Sequence, residues 1–407
     1  MDEPFVVGAA ETDITPPVGL AMDGYMAREG GSSGVHDPLQ AQVLVLDHHG
    51  QRAVIVALDV LGVSLSFSDR LRHALAAQTG ASPDAVLIAA SHTHAGPTGV
   101  QTWFPVDAAP QLDSGVTELI GERVMTAARE ALTRLQPARL RAASGSAAGL
   151  GGDRNRPDQP VDTQVTTLSF HDASGAPIAV LLHYACHPTV LSAANRLYSA
   201  DFPGAAREQL QAAFPGVVAL YLNGAAGNIS TRFHRHDQSF AEVDRLGRLL
   251  AEQATALIAS STAEPAALGW AREDIRLPFR AFAAETRALA GTGNARLDTV
   301  RAEGALIEAQ LRQALHGRSG QTSALSALRV GRWRLLAVPG EAFSDLALAL
   351  RADDPHALVV GYANDYAGYF PTQTAIDDAT YEALSSPYDS RATALLYQRL
   401  RAMPASG

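Results

Sequence analysis

Ser91-His92-Thr93-His94-Ala95-Gly96-Pro97 follows the apolar run Ala85-Val86-Leu87-Ile88-Ala89-Ala90, and its reading decides the fold. The apolar run has the length and character of a buried strand. Gly96 and Pro97 stop that strand from continuing. Both histidines therefore stand where a buried strand gives way to a loop. In open α/β sheets, ligands bind in the crevice beyond the carboxyl ends of strands. Residues at i and i+2 of an extended backbone share one side. The spacing predicts one imidazole as a metal ligand with a second close behind it.

Upstream, 41–47 and 53–59 read as strands joined by the turn His48-His49-Gly50-Gln51. Residues 68–78 have helical periodicity and close at Gly80. Strand, helix and the strand before His92 form a unit of parallel-crossover length. It predicts Asp59 and His92 at one sheet edge. Further along, 116–135 and 240–259 read as helices, and so does much of 281–316. Strands are expected at 6–10, 163–170, 178–185, 217–222, 335–338 and 358–362. The pattern predicts an α/β fold of mixed, largely parallel sheets flanked by helices, with a metal site at the carboxyl ends of strands. His36 lies in a long glycine-rich loop, where a solvated position and a place in the site both remain open.

A polar group recurs just after an apolar strand: Asp59, His92 with His94, His187, Asn228 with Ser230, Glu341, and Tyr366 with Tyr369. Two histidines and a glutamate are a common ligand set for a catalytic zinc with an open position. Other chemistries are missing their residues. The chain has no lysine, so a P-loop, a Schiff-base lysine and a Ser-Lys dyad are excluded. No His-Glu-x-x-His or Gly-x-Gly-x-x-Gly occurs, and no Gly-x-Ser-x-Gly forms a nucleophile elbow after a strand. The 407 residues carry a net charge of −10, and no basic run would track a phosphate backbone, which argues against nucleic acid as a partner. Cys186 is the one cysteine, so no intrachain disulfide framework exists, and it reads as a small buried residue. No run approaches the roughly 18 apolar residues of a membrane span. The first residues, Met1-Asp2-Glu3-Pro4, have no signal-peptide character, so a cytoplasmic protein is expected.

In the order of its motifs the chain resembles the neutral/alkaline non-lysosomal ceramidases, specifically their N-terminal catalytic domain. The matching stretches are Ala10-Glu11-Thr12-Asp13-Ile14-Thr15-Pro16, Ser91 to Pro97, Asn155-Arg156, Val161-Asp162 through Cys186-His187-Pro188-Thr189, Gly227-Asn228-Ile229-Ser230, Pro339-Gly340-Glu341, and Asn364 to Tyr369 with Tyr381-Glu382. The resemblance implies one zinc held by His92, His187, Glu341 and Tyr369, with Tyr366 as the alternative tyrosine. It gives His94, Arg156 and Tyr381 the binding of substrate or stabilisation of the oxyanion. Ser230 matches a serine discussed in the family as a nucleophile.

The resemblance also has gaps. Asn228 stands where the family usually has aspartate. The family's C-terminal immunoglobulin-like domain has no counterpart, so one catalytic domain over 1–407 is expected. Together these readings predict a zinc-dependent hydrolase of a carboxylic amide acting on a small N-acyl or ester substrate. An esterase or lactonase with the same centre, and a zinc protein that binds an acyl ligand without turnover, are the alternatives. Short or polar N-acyl compounds are expected ahead of ceramide, with Trp103 and Phe104 at the mouth beyond His94. The oligomeric state is not readable from the sequence.

Overall fold

The computed structural model describes residues 3–102, 112–282, 289 and 291–404; Trp103 and Phe104 lie outside the described residues. The main sheet runs in the order Val218–Asn223, Pro177–Tyr184, Gln164–His171, Gln136–Ser146, Phe5–Asp13, Gln40–His48, Gln51–Leu58, Val86–Ala90. A second sheet has the order Leu268–Pro278, Gly320–Val330, Trp333–Ala337, Ala357–Val360.

The side-chain alternation along each main-sheet strand sorts two cores. Val43, Val45, Val54, Val56 and Leu58 face one layer of helices, packing with Leu71, Ile120, Leu210 and Leu250. Their neighbours Leu44, Leu46, Ile55 and Ala57 face the other way and pack on Leu328, Val330, Trp333 and Leu335 of the second sheet. The far face of that sheet is covered in turn. Leu325 and Leu336 pack there on Ile307, Leu350 and Leu396, from helices Ala295–Ala314, Ser344–Asp353 and Ser390–Ala402. The layers are thus helix, sheet, sheet, helix. A strand buried on both faces loses the polar alternation of a half-exposed one.

Sheets flanked by helices are as expected, and they are mixed. The ladders, however, are mostly antiparallel, which corrects the largely parallel arrangement. Along the main path the parallel pairings are Val218–Asn223 on Pro177–Tyr184 and Val86–Ala90 on Gln51–Leu58. The others are antiparallel. The continuous apolar runs come from the second sheet, which covers the face that helices cover in an all-parallel sheet. The Leu65–Thr79 helix makes the expected parallel crossover. Ser64 caps it, accepting from the Phe67 amide, and Gly80 ends it in a left-handed conformation.

Asp59 ends its strand beside His92 as expected, yet turns away from it. Its carboxylate is buried on Arg207, with contacts of 2.8 and 2.5 Å, and also accepts from the Gln40 amide. It serves the fold. His36 stacks on Phe240 at 3.6 Å and bonds Asp37, which takes it away from the strand ends that carry His92 and His187.

Candidate metal centre

His92 sits two residues beyond Val86–Ala90, with φ of +68°. The Ser91 and His92 amides donate to the Leu58 and Val60 carbonyls at 2.8 and 3.0 Å, bending the chain off the sheet. His92 and His94 do meet, with their Nε2 atoms 3.3 Å apart. The bend brings them together; the extended alternation expected from the sequence is absent. Tyr362, also at positive φ, stacks on the His92 ring at 3.9 Å between centroids. His187 follows Pro177–Tyr184 and is fixed by a parallel bridge to Ser230. Glu341 pairs with Tyr369 in a short parallel ladder. Gly24 lies against His94: at its φ of +99° glycine is favoured, and a Cβ there would come within 2.5 Å of His94 Cγ.

His92 Nδ1 donates to the Leu61 carbonyl at 2.7 Å, and His187 Nδ1 to that of Ala226 at 2.7 Å. A neutral imidazole that donates at Nδ1 presents a lone pair at Nε2. Both Nε2 atoms face Glu341 Oε2, at 3.3 and 2.8 Å. The shorter contact lacks hydrogen-bond geometry, so His187 Nε2 and Glu341 Oε2 are buried without a partner. Three atoms thus converge, His92 Nε2 with only His94 Nε2 beside it at 3.3 Å and the other two unpartnered. Buried polar atoms in that state are costly, and a cation satisfies all three. His94 belongs to the same group, since ligand atoms of His92, His94 and His187 all lie within 4.8 Å of one another.

Electrostatics keep these groups in their ligand forms. Burial and the Arg154 charge push His187 down to about 4. Burial and the other two imidazoles push His94 well below its ordinary value. Burial opposes the Glu341 charge, but the positive charge that the facing imidazoles carry when protonated outweighs it and holds the carboxyl well below the usual range. Tyr366 donates to Glu341 Oε1 at 2.5 Å, which occupies the second carboxylate oxygen.

Comparison with known proteins agrees with this architecture. The family described as neutral/alkaline non-lysosomal ceramidase, N-terminal, matches residues 5–233. The chain belongs to this family. It is 28% identical over 249 residues to neutral ceramidase of Pseudomonas aeruginosa, covering 56% of this chain and 37% of that protein. Against neutral ceramidase of Oryza sativa subsp. japonica it is 28% identical over 221 residues, 50% of this chain and 28% of that protein. The chain thus spans about a third of the length of these relatives. The crystal structure of the Pseudomonas aeruginosa neutral ceramidase superposes with a TM-score of 0.81 at 22% identity, over 99% of this chain and 74% of that one. A ceramidase structure described as complexed with C2 gives a TM-score of 0.80 at 22% identity, over 99% and 75%.

Within this ceramidase-family chain the remaining site residues divide. Ser230 and Tyr381 line the same cavity of about 770 Å³ as His92, His94, Glu341 and Tyr369. Arg156 does not. Its side chain is 45% exposed and pairs with Asp378. Arg154 points in instead, donating through Nη2 to the Gly227 carbonyl at 2.9 Å and to the Tyr369 hydroxyl at 3.0 Å. Glu382 holds its Nε at 2.5 Å and accepts from Asn155 at 2.8 Å. Asp153 makes the difference: its carboxylate accepts from the Asn155 and Arg156 amides, turning the chain outward after Arg154. Arg154, Glu382 and Tyr362 escaped the sequence reading. Arg154 and Arg156 have the same parity, so only the Asx turn tells them apart.

Proposed function

We propose that the chain is a zinc-dependent hydrolase of a carboxylic amide bond, with His92, His187, Glu341 and Tyr369 as ligands. The observation that carries this reading is the convergence of His92 Nε2, His187 Nε2 and Glu341 Oε2, the last two without a hydrogen-bond partner, with the Nδ1 atoms already committed to carbonyls. Such outer bonds fix the tautomer and aim of a metal-binding imidazole. Tyr366 has the same outer role toward Glu341, which supports Tyr369 as the ligand. Membership of a ceramidase family supports the amide.

When bound, zinc supplies a Lewis acid for the carbonyl oxygen and lowers the pKa of a coordinated water to about 7. The chain supplies the rest. Arg154 orients the Tyr369 phenol and places a permanent positive charge beside the cavity. Tyr381, its ring 6.2 Å from that of Tyr369, offers a hydroxyl donor to the negative charge that develops on the carbonyl oxygen. Donors fixed before the reaction supply the largest share of such stabilisation. Neutral His94 presents Nε2 to the same space, where it can take a proton from the attacking water and, as imidazolium, pass it to the departing amine. Ser230 Oγ accepts from the Arg232 amide at 3.3 Å. Among the described residues no base bonds it, which favours a positioning role over nucleophilic attack.

Protein purified without added metal is expected to hold about one zinc per chain. His92→Ala and His187→Ala each lose it while remaining folded. Tyr369→Phe weakens retention against a chelator more than Tyr366→Phe does. A panel of N-acyl amides and aryl esters tests turnover. Full zinc occupancy in both alanine variants, or an acyl adduct on Ser230 by mass spectrometry, would overturn the reading.

A further inference from the structure

The cavity beside the histidines carries more positive charge than a neutral amide needs. Arg232, Arg235 and Arg296 all line it. None of the three forms an ion pair with a carboxylate among the described residues. Arg232 is tethered by Nη1 to the Arg154 carbonyl at 2.8 Å, and Arg235 by Nη1 to the Thr189 carbonyl. Each tether uses one corner of a guanidinium and leaves the rest of the fork without a side-chain acceptor among the described residues. Burial and the neighbouring Arg154 charge bring Arg232 down to about 10, and burial also lowers Arg235. The acidic residues of the lining are Asp23, Glu303, Glu341 and Glu382; Glu382 is committed to Arg154 and Asn155, and none of the four forms an ion pair with Arg232, Arg235 or Arg296.

The position of this charge is tied to the centre. Arg232 stands two residues beyond Ser230, the bridge partner of His187. Arg235 hangs on Thr189, two residues beyond His187. A group on these guanidiniums therefore belongs to a molecule whose carbonyl lies at the histidines. The lining also includes Ala21, Met22, Met26, Ala27 and Leu61, a surface for an apolar chain. Planar guanidinium forks match a carboxylate in geometry and charge.

We infer that the substrate is an amide with an apolar acyl part and a carboxylate on its amine part, an N-acyl amino acid in chemical class, and that Arg232, Arg235 and Arg296 bind that carboxylate. This rests on the amide-hydrolase reading above. Water adds across the C–N bond. The acyl part leaves as a carboxylate, and the amine part as a free amino acid carrying the transferred proton.

The test compares N-octanoylglycine with its neutral counterpart N-octanoylglycinamide and with the phosphate ester of N-octanoylethanolamine. The zinc protein is expected to favour the carboxylate over the neutral amide by at least about tenfold in kcat/KM, the scale of a charge-assisted pair, and over the phosphate. In Arg232→Gln/Arg235→Gln that preference collapses toward one, and Arg232→Lys/Arg235→Lys keeps more of it. A structural role alone would lower turnover of both amides and leave their ratio. Calorimetry with the uncleavable ketone 4-oxoundecanoate and its neutral amide reads the subsite without turnover. Tighter binding of the acid, lost in the Gln variant, supports the subsite even where no amide is cleaved, in which case the hydrolase reading alone fails. Equal binding of acid and amide, or a phosphate preferred to the carboxylate, overturns the inference.

Discussion

Arg154 and Arg156 differ by two positions and by everything that matters chemically. One is buried between Glu382 and the Tyr369 hydroxyl, the other pairs with Asp378 at the surface. Arg154→Ala is expected to lower kcat by about two to three orders of magnitude, as for removal of a preorganised donor. It also strands the Glu382 carboxylate, which costs about 3–5 kcal/mol of stability. Arg156→Ala is expected to change stability by less than about 0.5 kcal/mol and to leave kcat near the parent value. Steady-state kinetics and denaturant unfolding of the two variants check this. A larger kcat loss in Arg156→Ala would reverse the assignment. The motif Asn155-Arg156 points at a loop whose Arg154, and not Arg156, lines the cavity, because the Asp153 turn is a local hydrogen-bond pattern that residue types alone do not announce.

At the scale of elements, Asn228 shows how the departure from the family's aspartate is accommodated. Its amide nitrogen donates to Asp153 at 2.8 Å, and its oxygen accepts from the Ser344 amide at 2.8 Å. Ser344 opens the Ser344–Asp353 helix, whose N-cap residue Phe343 offers no side-chain acceptor. Asn228 therefore fills that role from another strand end and ties the Ile229–Ser230 segment to the one bearing Glu341. Asn228→Asp would set a second carboxylate against Asp153 and lose the donor. It is expected to destabilise by about 1–3 kcal/mol, and Asn228→Ala by a similar amount. Thermal unfolding measures both, and an unchanged Tm in the Asp variant would refute the account. Strands Gln136–Ser146, Leu268–Pro278 and Gly320–Val330 were not legible as such. Each carries arginines or polar residues on exposed positions, which breaks the apolar run by which the others were recognised. Among the described residues of the 281–316 region the helix is Ala295–Ala314, after Gly291-Thr292-Gly293-Asn294, and its first turns face the cavity.

For the molecule as a whole, burial at the cavity rim leaves a signature in the pH dependence of stability. Burial raises the Asp23 carboxyl to about 7, against the Gln101 hydrogen bond and the Arg28 charge. In an unfolded chain an aspartate releases its proton near pH 4. Between about pH 4 and 7 the folded chain therefore holds a proton that the unfolded chain has lost, and stability falls as pH rises through that window. Above about 7 the loss levels off. Asp23→Asn removes this contribution, so its stability relative to the parent is expected to be more favourable at pH 8 than at pH 5. Denaturant unfolding at the two values decides it, and an equal difference at both would refute it.

The sequence by itself determined the strands that are apolar throughout, the helix–strand crossover before His92, and the places of His92, His94, His187, Glu341 and the two tyrosines just past apolar strands. Those features are local: they follow from run length, periodicity and breakers. Tertiary structure decided the antiparallel pairing, because a second sheet covers the face that helices were expected to cover. It likewise decided which arginine enters the cavity, and it brought Arg232, Arg235 and Arg296 from two distant segments into one space. Pairing partners and side-chain direction in loops depend on contacts between residues far apart in the chain, and no local pattern carries that information.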